Sequence, residues 1–96
     1  MLLTKMANRY TTPVTVEVAT STNFEYKVFS DMQMAYIWIK SRVDYYMLEH
    51  NCNLFPFQQA CDDLDIAYMA AGLRGSTLVA ETPVEVYRVY YGKLEL

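Results

Sequence analysis

The residues of this 96-residue chain best suited to chemistry lie close together: Glu49, His50 and Cys52 in one short run, Cys61 nine positions later, and Asp62, Asp63 and Asp65 directly after it. Structural zinc takes four ligands, mostly Cys and His, and Glu49, His50, Cys52 and Cys61 make up that number. Their spacing matches no standard finger, and Cys61 falls on an apolar helical face where a small buried thiol is common. No metal site is assigned. His50 and Cys52 also contain the parts of a thiolate nucleophile, because an imidazole can lower a nearby thiol pKa. Two positions apart at a helix end, their side chains need not meet, and no third orienting group accompanies them. A histidine near a helix C-terminus is favoured by the dipole alone.

Asp62-Asp63-Leu64-Asp65 is the kind of cluster that holds Mg²⁺ against a phosphate. On a helix, Asp62 and Asp65 share a face while Asp63 points about 100° away, and a solvated flank explains the run more simply. What survives is a stripe of Gln58, Asp62 and Asp65 suited to a basic partner. Gly72-Leu-Arg-Gly75 lacks the Gly-Lys-Ser/Thr ending of a phosphate loop and reads as a helix stop and turn. Tyr87, Tyr90 and Tyr91 are of the type that stacks on bases. However, the eight Lys and Arg residues are scattered and the formal charge is −3, whereas phosphate binding needs clustered cations. The reading is a non-enzymatic protein with no catalytic residue, no cofactor and no nucleic-acid partner.

These residues must be carried by elements, and the composition allows one modest core. With 53% hydrophobic and 20% charged residues, the chain is ordinary globular material of a size that suits one domain. Nine tyrosines are prominent, and tyrosine suits partly wet surfaces. The N-terminus has no apolar stretch of the length a secretion signal needs, and no apolar run approaches the roughly 18 residues of a membrane span. The expectation is a cytoplasmic protein, without a membrane partner, whose two cysteines stay reduced. Met6 is an alternative start, residues 1–12 read as an N-terminal extension that is partly disordered, and residues 13–96 read as one α+β domain.

Val14, Val16 and Val18 alternate with Thr15 and Glu17, which is a strand period. After Thr20-Ser-Thr-Asn23, Phe24, Tyr26 and Val28 alternate with Glu25 and Lys27, predicting a hairpin. The period then becomes helical from Asp31 to Glu49, with Ser30 or Asp31 as a reasonable N-cap and Asn51 to Asn53 ending the helix. A second helix runs from Pro56 to about Ala71, apolar at Phe57, Cys61, Leu64, Tyr68 and Ala71 and stopped by Gly72. Strands follow at 76–80 and 84–91. In the last, Val84 and Val86 share one parity and Tyr87, Val89 and Tyr91 the other, so either a bulge lies near Tyr87 and Arg88 or both faces are covered. The order is β-β-α-α-β-β: an antiparallel sheet of about four strands with both helices on one face.

The first helix carries two apolar sectors. Met32, Ala35, Tyr36, Ile39, Val43, Tyr46 and Met47 suit the sheet, while Met34, Trp38 and Tyr45 form a second group. Leaving that group exposed forgoes burial of about 400 Å², worth up to roughly 10 kcal/mol. Either the second helix and the tail Leu94-Glu-Leu96 cover it, or it is an interface anchored by aromatics. The expected function is protein–protein binding, self-association included, through Met34, Trp38, Tyr45, Asp62 and Asp65. The alternative is a small-ligand protein or small enzyme with a pocket between sheet and helices, lined by Tyr26, Tyr36, Tyr68 and Tyr87. In size, acidity and lack of motifs the chain resembles small phage-encoded inhibitors of bacterial enzymes, anti-CRISPR proteins among them. That resemblance implies an inhibitor that binds an enzyme complex, and it carries no residue across.

Overall fold

Alternating valines and a cluster of turn residues give the first hairpin, strands β1 (Val14–Ala19) and β2 (Phe24–Phe29). The structure is a computed structural model that describes residues 11–93. The alternative start at Met6, most of the N-terminal extension and the packing of residues 94–96 lie outside the described residues. Helix α1 (Met32–Met47) begins where expected, with the Asp31 carboxylate accepting the Met34 backbone N–H. Strand β3 (Asn53–Leu54) and helix α2 (Phe57–Ala71) follow, then a single 3₁₀ turn at Gly72–Arg74, then β4 (Ser76–Glu81) and β5 (Val86–Tyr91). Gly72 takes the positive φ of +64° that a glycine adopts cheaply. Gly75 is required for a different reason: a Cβ there would lie 2.1 Å from the Ala67 carbonyl oxygen, so the chain leaves α2 by brushing its backbone.

The sheet has five strands in the order β2-β1-β5-β4-β3, all antiparallel. The strand absent from the sequence reading is β3. Two residues carry no period, and Asn53 and Leu54 become a strand only because Glu81 and Ala80 of β4 are there to pair with them. The first and last strands are central neighbours, Val14 opposite Tyr91. Beyond them the Gly92 N–H donates to the Pro13 carbonyl at 2.6 Å, and the Thr15 hydroxyl to the Gly92 carbonyl at 2.7 Å.

One register irregularity lies between Leu78 and Ala80. It sits on β4, directly opposite Arg88 and Tyr87, and turns both Val79 and Ala80 into the core. Strand β5 itself alternates cleanly, with Tyr87, Val89 and Tyr91 inward. It starts at Val86 rather than Val84, because Thr82–Glu85 form a turn closed by the Thr82 hydroxyl, which accepts the Val84 and Glu85 N–H groups.

Both helices lie on the side of the sheet that Val14, Val16 and Val18 face. Met32, Ala35, Ile39 and Val43 of α1, and Ala60, Cys61 and Leu64 of α2, complete the core. Each large side chain so buried contributes about 1.5–3 kcal/mol. Tyr36 and Tyr46 reach only half-burial and Met47 is exposed, so the core-facing sector of α1 is narrower than its periodicity suggests. Among the described residues no helix is long and apolar enough to cross a membrane.

Strand β2 is reversed relative to its composition. Because Val16 pairs with Lys27 and Val18 with Glu25, the charged residues of β2 share the helix side. Phe24, Tyr26 and Val28 therefore share the other face with Glu17 and Tyr90.

Candidate functional site

Helix α1 has its core-facing sector filled, and its opposite side carries a straight apolar stripe. Met34, Ile37, Ser41, Tyr45 and Leu48 fall within about 80° of the helix circumference at 100° per residue. The four apolar members are 50%, 55%, 79% and 95% exposed. Ser41 adds little polarity, since its hydroxyl donates back to the Trp38 carbonyl at 2.6 Å. Along one border Lys40 and Asp44 form an i,i+4 ion pair at 3.0 Å. The Leu48 end opens onto a shallow depression lined by Glu49, His50, Asn51 and Pro83.

Of the expected site residues, Met34 and Tyr45 lie on this stripe and Trp38 lies beside it, half-buried. The Trp38 ring stands 5.7 Å from that of Phe29 and edge-on to Tyr87 at 6.1 Å, with Lys27 Nζ and Arg42 Cζ each 5.5 Å from its centroid. Such contacts join Trp38 to the domain's own packing. Sequence reasoning passed over Ile37 and Leu48. Both were legible, because spacings of three, four, four and three residues place them in line with Met34 and Tyr45.

The two aspartates separate. Asp62 is exposed and accepts from Gln58 Nε2 at 3.0 Å. Asp65 is buried and accepts the Tyr91 hydroxyl at 2.5 Å. The acidic stripe therefore reduces to Gln58 and Asp62 on the surface. Asp65 lies only about 40° round the helix from Cys61, close enough to the buried sector for Tyr91, pointing inward from β5, to reach it.

Beneath Trp38 lies a polar cluster that periodicity does not reveal. The Arg42 guanidinium grips Glu85 with both carboxylate oxygens, Nη2 at 2.7 and 2.8 Å, and the Tyr87 hydroxyl donates to the same carboxylate. Burial by itself raises the Glu85 carboxyl, but hydrogen bonds from Tyr87 and Arg42 outweigh it and hold the group below its ordinary range. Tyr87 moves the other way, raised first by burial and then by the carboxylate it donates to. Each of the three side chains is bonded within the cluster, which suits a structural anchor.

The remaining candidates do not assemble. The Cys52 thiol donates to the His50 carbonyl rather than to its ring, and Cys61 is inside the core. Among the described residues no three His, Cys, Asp or Glu side chains come together as a metal ion would require. Tyr36 donates to the Phe55 carbonyl at 2.7 Å, Tyr68 stacks edge-on against Tyr91, and Tyr87 is enclosed beside Glu85. Tyr26 lies on the far face of the sheet and donates to Glu17. The four tyrosines of the pocket reading thus line no single cavity. No family model, curated protein or solved structure matches this chain.

Proposed function

We propose that the protein acts by binding another protein and performs no chemistry of its own, with Met34, Ile37, Tyr45 and Leu48 as the docking residues. The observation that carries this reading is their alignment: four exposed apolar side chains in one quadrant of a helix whose opposite side is already filled by the core. Scattered surface apolar residues need no explanation, whereas a continuous row does. The matching partner surface is an apolar groove that receives one helix face, the recognition mode that reads side chains at three- and four-residue intervals. Its rim must tolerate the Lys40–Asp44 pair. An inhibitor that blocks an enzyme complex by occupying such a groove requires nothing beyond this stripe.

The test is a double substitution, Ile37→Ser with Tyr45→Ala, compared with Asp62→Asn as a surface control. Affinity capture from the native host is read by mass spectrometry, with circular dichroism checking the fold. The expected result is one partner held by the wild type and by Asp62→Asn and lost by the double variant. Equal capture by all three, or none by the wild type, overturns the reading.

A further inference from the structure

The two edges of the sheet differ. At one edge β3 is two residues long, and at the other β2 presents six regular residues, Phe24-Glu-Tyr-Lys-Val-Phe29, with β1 on one side and no further strand beyond it among the described residues. Long regular edges are open to pairing with another strand, and proteins usually guard them with charge or shortness. Glu25 and Lys27 are such charges, yet neither faces an opposite charge within the sheet, since β1 sets Val18 and Val16 against them. We propose that β2 is the pairing edge for a second copy of this chain, joined antiparallel about a two-fold axis through Tyr26.

The register follows from the charges. In a symmetric antiparallel pair, residues directly opposite each other must share a face, so the axis passes through a residue. Centred on Glu25 it opposes two carboxylates, and centred on Lys27 it opposes two ammonium groups, each destabilising at a directly opposed position. Centred on Tyr26, it sets Glu25 against the second copy's Lys27 and Lys27 against the second copy's Glu25. It also sets Phe24 against the second copy's Val28, and Tyr26 against itself. Phe24 and Val28, 61% and 49% exposed, then cover one another on the face away from the helices. Glu25 and Lys27 each disfavour the register centred on itself, and their spacing of two favours the one between them. The surface is separate from the α1 stripe and leaves it free.

Sedimentation equilibrium across a concentration series reads the association directly. The wild type is expected to move towards twice the 11.2 kDa chain mass. Glu25→Lys alone and Lys27→Glu alone each place like charges opposite at both symmetric positions, and the dissociation constant should rise on the order of tenfold or more. The exchanged variant, Glu25→Lys with Lys27→Glu, should recover wild-type association. An equimolar mixture of the two single variants should form a mixed dimer, because every opposed pair is again of opposite sign. Circular dichroism verifies folding, and should Lys27→Glu unfold through its contact with Trp38, Glu25→Lys and the exchanged variant carry the test. A wild type that stays monomeric at every concentration, or single variants that associate as well as the wild type, overturns the proposal. Ile37→Ser with Tyr45→Ala should leave the mass unchanged, so failure here and failure of the α1 reading are told apart.

Discussion

Glu85 and Glu17 both accept hydrogen bonds from tyrosine hydroxyls, and they stand on opposite sides of the sheet. Glu85, 7% exposed, lies under α1 with Tyr87 beside it and Arg42 across it. Glu17, on the face opposite α1 and α2, receives Tyr26 and Tyr90 at 3.2 and 3.1 Å, and among the described residues no cation is bonded to it. The difference is what enclosure demands. A carboxylate taken out of water needs a counter-charge and filled acceptor sites, whereas one that keeps contact with water needs only neighbours that do not compete with solvent. The helix side therefore spends its polar groups on itself, and the open side keeps Glu17, Arg88 and the tyrosines within reach of solvent.

Breaking the enclosed side should cost most. Trp38→Ser removes the ring that lies between Phe29, Tyr87 and Arg42. Half-burial places the expected loss near 3 kcal/mol, at the low end for a core aromatic, read as a fall in the denaturant midpoint. Arg42→Met comes next, at about 2 kcal/mol. That is less than the cost of breaking a fully buried pair, because the Arg42 side chain is 41% exposed and water can reach the vacated carboxylate.

Acid sharpens the same contrast. The folded Glu85 carboxyl is held below its ordinary value of 4.5, so its contribution is complete above that value and is lost as pH falls through the lower folded one. Denaturant midpoints recorded between pH 6 and 2 should fall less steeply for Glu85→Gln than for the wild type. Equal slopes would mean that the Arg42 and Tyr87 contacts do not favour the ionised form. Smallest of all, Glu17→Gln should cost under about 1 kcal/mol, since two partly solvated hydroxyl bonds are exchanged for similar ones. A loss matching that of Arg42→Met would erase the distinction between the two sides.

What the sequence made legible was local. The valine alternation of β1, the Asp31 cap and the Gly72 stop each depend on neighbours a few positions away. Trp38, Asp65 and Glu85 were not legible in the same way. The burial of Asp65 depends on Tyr91, and that of Glu85 on Arg42 forty-three positions away. No periodicity records such partners. Strand β3 failed for a related reason, since two residues have no pattern until β4 supplies one. The α1 stripe is the middle case: half was named from its aromatics and half, Ile37 and Leu48, passed over, although all its members lie on one element.

The pairing of β1 with β5 bears on the order in which the chain can fold. Strand β1 finds its central neighbour β5 only after both helices and β4 have been made, so on the ribosome β1 and β2 first wait as a hairpin, a unit marginally stable in water at best. Closing that long loop is slow compared with forming local contacts. A chain cut short before Val86 leaves the core without Tyr87, Val89 and Tyr91 and does not fold. The same pairing sets Pro13 and Gly92 side by side. A short linker between them would let the domain be reopened at the Thr20–Asn23 turn, with the sheet order unchanged and β1 made next to β5.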